Sequence, residues 1–334
     1  MLIETVEHLK TSNGRELVVL PRVLFLKNIE HKMDLYDSLY SEKYKIHTDL
    51  DIWVVPNFAQ RELAFDPALV QSKLESNYPV RGAGDTIQIG QVQWVGGDND
   101  ALKYRGNELK RGKIWLQTGE PEEVGFRRYY YTGWQWRVLP ATACVDACPE
   151  VKPIMERYNI WAALLRKPEA NHTIVTKYLD ESHSIGYHFD KPNDIEKGSL
   201  ITVVKTGECA RPFELRMRTK MTLVEEDAFE AMGEEERKAF KKVLNDRQDK
   251  EKPFFSKVLE PGTAVIMTLE ANLKTQHGVP ELKTKVGPSG SIVFRTITKS
   301  VTMADTLKKL EECERNCEKK KRKREEQGHT VRQQ

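Results

Sequence analysis

In the stretch Ser184-Ile-Gly-Tyr-His-Phe-Asp-Lys-Pro192, His188 and Asp190 stand two positions apart. On an extended backbone, residues i and i+2 project to the same side. One imidazole and one carboxylate therefore reach a common point. Such a pair is two-thirds of a 2-His-1-carboxylate facial triad, the donor set that holds Fe(II) and leaves coordination positions open. A solitary His-x-Asp is more often just solvated, so the weight comes from two residues further along the chain. His277 lies in Lys274-Thr-Gln-His-Gly-Val-Pro280, and Arg295 closes Ser289-Gly-Ser-Ile-Val-Phe-Arg295. The order His-x-Asp, long gap, His, Arg suits a metal with three protein ligands and a dicarboxylate co-substrate. The keto-acid end would chelate the metal, and a guanidinium fork would grip the far carboxylate.

Strands must carry these residues. Val258 to Met267 reads as a turn followed by a buried strand, and Ser289 to Ile297 as another. Glu16 to Leu26 and Ile52 to Pro56 look like buried strands or lead-in segments, and 60–100 is mixed. The Gly-x-Gly at Gly82 and Gly84 is expected to be a turn, because no strand–helix frame surrounds it. A helix is expected over 149–166, with Val151, Ile154, Met155, Tyr158, Ile160 and Leu164 packed on a sheet. Residues 219–251 run from acidic to basic, as the helix dipole favours, and are expected to form an inserted helical element.

Together, these segments resemble the AlkB-like 2-oxoglutarate and Fe(II)-dependent dioxygenases. Tyr129-Tyr-Tyr-Thr-Gly133 is similar to the aromatic segment ahead of that family's core. Asn171 to Tyr178 followed by Ser184 to Asp190 is similar to its iron-binding segment. Arg211-Pro-Phe-Glu-Leu-Arg216, Leu259-Glu-Pro-Gly262, Thr275-Gln-His277 and Ile292-Val-Phe-Arg295 complete the likeness, which spans roughly 104–300. Three positions depart from the family: Thr176 stands where Asn is usual, Ser289 where a second Arg is usual, and Lys191 where an acid is frequent.

The resemblance implies a mainly β, α+β chain: a double-stranded β-helix, or jelly-roll, of two antiparallel sheets with helices outside. It implies Fe(II) held by His188, Asp190 and His277. It places Arg295, Tyr178, Thr176 and Ser289 at the 2-oxoglutarate site; with the second Arg missing, Arg295 is expected to carry most of the far carboxylate unless Lys283 or Lys285 swings in. The implied enzyme oxidises methyl or alkyl groups on nucleic-acid bases, in DNA or RNA. The same chemistry on a protein or small molecule, or an inactive nucleic-acid-binding module, remain the alternatives.

Residues 104–137 interleave cations with aromatic rings, Arg128, Tyr129, Tyr131 and Trp134 among them. Rings stack on bases and cations meet phosphates, so this stretch suits a substrate lid; an ordinary strand pair with core aromatics is the competing reading. The expected organisation is an N-terminal extension over 1–103, the dioxygenase domain over 104–300, and a charged helical or disordered tail over 301–334.

The formal charge of the 334 residues is +3. Residues 319–334 carry seven Lys or Arg against two Glu, which is +5, so the other 318 residues sum to −2. Only the tail is a cationic tract, suited to nuclear targeting or phosphate contact. No apolar run is long enough to span a bilayer, and the start lacks signal-peptide order. Five cysteines in so long a chain fit a reducing compartment, so an intracellular location, nuclear or cytoplasmic, is expected. Cys144/Cys148 and Cys313/Cys317 share an i, i+4 spacing; thiols on helix faces are favoured over a zinc site.

Overall fold

The computed structural model describes residues 43–82, 90–97, 110–127 and 143–302, together with Glu7–Lys10, Glu16–Val19, Lys103–Tyr104, Asn107–Glu108 and four single positions in the tail. Twelve strands build two sheets. In chain order they are β1 (Ile52–Val55), β2 (Val95–Gly96), β3 (Gly112–Gln117), β4 (Ala143–Cys144), β5 (His172–Tyr178) and β6 (Ile185–His188). Then come β7 (Leu200–Gly207), β8 (Arg211–Met217), β9 (Pro253–Leu259), β10 (Ala264–Thr268), β11 (Thr275–Val279) and β12 (Ser289–Arg295).

The larger sheet has the order β1-β10-β7-β12-β5-β3-β2, with β4 beside β3. The smaller has the order β6-β11-β8-β9. All pairings are antiparallel except β3 with β4. From β5 onward the chain repeatedly crosses between the sheets, so long-range pairing dominates.

Register explains the two-layer core. Ile174, Val203, Val265, Met267 and Val293 point to one side of the larger sheet and pack with Phe213, Leu215, Phe255 and Val279 of the smaller one. Alternate residues on the other side, such as Val175, Val204, Ile266, Ile292 and Phe294, pack with two helices. Strands buried on both faces read as continuous apolar runs, and Ile292-Val-Phe294 is such a run. Helix α1 (Pro67–Asn77) starts because Asp66 accepts hydrogen bonds from the amides of Ala68 and Leu69 at 2.9 and 3.0 Å, with Pro67 in the first turn. It packs close to the sheet over Gly290, where a Cβ would meet Gln71 Oε1 at 2.3 Å and Thr176 O at 2.7 Å.

Helix α2 (Lys152–Leu164) buries Ile154, Met155, Tyr158, Trp161 and Ala162, and Tyr158 stacks on Phe294 at 4.3 Å. Ile160 and Leu164, expected in the core, are 58% and 37% exposed; Trp161 and Ala162 take the inner face. The 219–251 stretch forms two helices, α3 (Leu223–Ala231) and α4 (Glu234–Lys250). A Thr222/Glu225 capping box starts the first. They touch through Phe229 and Phe240 at 5.8 Å and the ion pair Arg247–Glu225 at 2.8 Å. Gln248 bonds the backbone of Met217 and Thr219, fastening α4 to the end of β8.

Two findings depart from the sequence reading. Segments inside 1–103 are integral to the larger sheet: β1 pairs with β10, and β2 with β3. The stretch 60–100, read as mixed, contains α1, whose Asp66-Pro67 start was visible in the sequence. Arg128, Tyr129, Tyr131 and Trp134 of the lid, and Cys313 and Cys317, lie outside the described residues. The described cysteines Cys144, Cys148 and Cys209 are free thiols. No helix of the described residues is long and apolar enough to cross a membrane.

Candidate metal centre

The turn before β6 is pinned before the first His is reached. Arg211, fully buried at the start of β8, donates to the carbonyls of Asp180 at 2.9 Å and of His183. Arg111 donates to the Ser184 carbonyl at 3.0 Å. Between Ile185↔Val279 and His188↔His277 the pairing of β6 with β11 slips by one residue. Such a bulge re-aims a side chain, and here it sets His188 opposite His277, with ring centroids 4.4 Å apart. Phe213 of β8 stacks on the His277 ring from 5.9 Å.

Asp190 lies just past the end of β6, where no ladder holds it. Asn272 does so instead. Its side chain accepts from the Asp190 amide at 2.9 Å and donates to the Asp190 carbonyl at 2.8 Å. Asn272 sits on α5 (Leu269–Lys274), which is capped by Thr268 and tied at its end by Thr275. Nothing in the sequence marks this lone Asn as functional, because its partner is a backbone 82 residues away.

One ligand atom from each of His188, Asp190 and His277 falls within 4.8 Å of the others. Among the described residues, no other group of three or more His, Cys, Asp or Glu is so arranged. His188 Nδ1 bonds the Gly186 carbonyl at 2.9 Å, the partner that a metal-bound imidazole typically has on its other nitrogen. Burial is the main cause that lowers the pKa of both imidazoles, and His277 pushes His188 further down. Both rings are therefore neutral at pH 7, the form that binds metal. Two neutral nitrogens and one carboxylate with adjacent open space fit a divalent cation that keeps exchangeable positions.

Arg295 lines the same pocket as His188 and His277. Its Nη2 donates to Asp190 Oδ1 at 2.7 Å, both side chains being buried. The guanidinium thus also orients the candidate ligand Asp190. Opposite it on β5, buried His172 is held neutral, its pKa pushed down to about 3 by burial and then by Arg295.

His188, His277 and Arg295 line a pocket of about 40 Å³; Asp190, fully buried, does not line it. Ile174, Val203, Phe213 and Val293 give it apolar walls, and Thr176, Tyr178 and Ser291 give it hydroxyls. Ser289 is buried opposite Tyr178 and Gly207 but does not line the pocket; Ser291 does. Lys283 and Lys285 are exposed and outside it. Two lysines given no co-substrate role from the sequence, Lys113 of the cation-and-ring stretch and Lys205, do line it. Alternation on β3 and β7 could have flagged them, since each interrupts a buried run. In comparisons with known proteins, the chain matches no family model and no curated protein is significantly similar to it.

Proposed function

We propose that this protein is an Fe(II)- and 2-oxoglutarate-dependent dioxygenase that oxidises methyl or alkyl groups on nucleic-acid bases. The observation that carries the reading is the convergence of His188, Asp190 and His277, the two imidazoles lining a pocket that also presents cations and hydroxyls. The strand orders β10-β7-β12-β5 and β6-β11-β8-β9 support a double-stranded β-helix, with the metal ligands from the smaller sheet and the loop after β6. The base-alkyl substrate rests on the resemblance and on the cations and rings Arg128, Tyr129, Tyr131 and Trp134; Gly112–Gln117 of the same stretch forms the buried strand β3.

The protein's part in the chemistry is positioning. His188, Asp190 and His277 would hold the metal on one side, and Arg295 and Asn272 fix Asp190. The bound iron and co-substrate would supply the oxidising power for insertion of oxygen into a C–H bond. Apolar walls exclude water from that chemistry and strengthen the charged contacts inside. Tyr178, Thr176 and Ser291 offer hydrogen bonds to a carboxylate.

Succinate release from 2-oxoglutarate with Fe(II), with and without modified oligonucleotides, tests the activity. Mass spectrometry of nucleosides identifies the base. His188→Ala, Asp190→Ala and His277→Ala should each abolish turnover in folded protein. Near-wild-type activity in any one would sink the assignment. Succinate release stimulated by protein extracts but by no oligonucleotide would move the substrate class instead.

A further inference from the structure

Lys113, Thr176, Ser291 and Lys205 form one row across the inner face of the larger sheet. Thr176 pairs with Lys113 on one side and Ser291 on the other, and Ser291 pairs with Lys205. Directly paired residues share a face, and all four line the pocket. All four are also buried. Arg295 is four residues further along β12, about 13 Å by strand rise, with Asp190 against it.

The two lysines differ in surroundings. Lys113 feels the like charges of Arg111 and Arg295 and the opposite charge of Asp190. Lys205 feels only the like charge of Arg211, and its ammonium lies 5.6 Å from the Tyr178 ring centre. No hydrogen-bonded or ion-paired acid meets Lys205 among the described residues. A buried cation with no counter-charge is costly, and a carboxylate placed there would offset that cost.

We propose that Lys205, with the Ser291 and Thr176 hydroxyls beside it, binds the far carboxylate of a dicarboxylate whose other end faces the metal ligands. This rests on the dioxygenase reading above and makes it more specific. The pocket is thereby selective for a dianion over a monocarboxylate 2-oxo acid. Recognition comes from a lysine on β7, the strand beside β12, on which Ser289 stands in place of an arginine.

The test is calorimetric binding to Ni(II)-loaded protein, without turnover. The ligands are 2-oxoglutarate and 2-oxobutyrate, which shares the chelating end but lacks the far carboxylate. Lys205→Met should weaken 2-oxoglutarate roughly ten- to a hundred-fold, the loss of one charge-assisted hydrogen bond, and leave 2-oxobutyrate and Ni(II) binding unchanged. Lys205→Gln serves as a second variant of similar length, with the same expectation. The double variant Lys283→Met/Lys285→Met should bind as wild type does. Unchanged 2-oxoglutarate affinity in both Lys205 variants, or equal losses for both ligands, overturns the role of Lys205 while the dioxygenase reading stands. Wild-type protein that takes Ni(II) but neither 2-oxo acid overturns both.

Discussion

Replacing Arg295 with methionine isolates the ion pair that holds Asp190 in the candidate metal centre. The pair joins Arg295 Nη2 to Asp190 Oδ1 at 2.7 Å, with side-chain exposures of 5% and 0%. Unit charges on the order of 4 Å apart attract by about 4 kcal/mol at an effective dielectric of 20. Stripping one partner from a buried pair costs about 3–5 kcal/mol, because the other charge stays buried. At about 2–4 °C per kcal/mol for a chain of a few hundred residues, metal-free Arg295→Met should melt on the order of 10 °C below wild type. Asp190→Asn/Arg295→Met removes both charges and should recover a good part of that loss. Excess Ni(II) should also narrow the gap between Arg295→Met and wild type, since the ion supplies the missing positive charge. Scanning calorimetry in chelator and in Ni(II) reads all three. A metal-free Arg295→Met within about 1 kcal/mol of wild type, or a double variant no better than the single one, would refute the reasoning.

The same site gives two further outcomes. Lys205 has its pKa lowered from 10.5 to about 7, by burial and then by Arg211. The unfolded chain therefore binds the extra proton between about pH 7 and 10.5, and the folding penalty, full below pH 7, fades as pH rises through that window. Wild-type metal-free protein should gain about 2 kcal/mol over Lys205→Met between pH 7 and 9, as urea midpoints at the two pH values would show; parallel pH profiles would rule it out. Asn272→Ala leaves the buried Asp190 backbone without its two partners, at about 1–3 kcal/mol for each polar group left unmet. It should lower both the melting temperature and Ni(II) affinity, and an affinity equal to wild type would show that Asn272 does not position the ligand.

The sequence by itself determined which residues could meet at a metal. His-x-Asp spacing, a later His and a terminal strand with Arg are local patterns, and alternation or apolar runs announced the strands that carry them. It also determined the helical 219–251 stretch, through its acidic start and basic end. Other features depended on distant partners. The one-residue slip that sets His188 against His277 exists only when β6 pairs with β11. Asn272 acquires its role from a backbone brought to it by α5. Arg295 lines the pocket, and its ion pair with Asp190 is a second contact that sequence order, which gives no distance, did not announce. Lys113 and Lys205, far apart in the chain, share one row because β5 and β12 lie between their strands. Pattern and spacing are properties of neighbours along the chain, whereas counter-charges and pocket walls are properties of neighbours across a sheet, and only strand order assigns those.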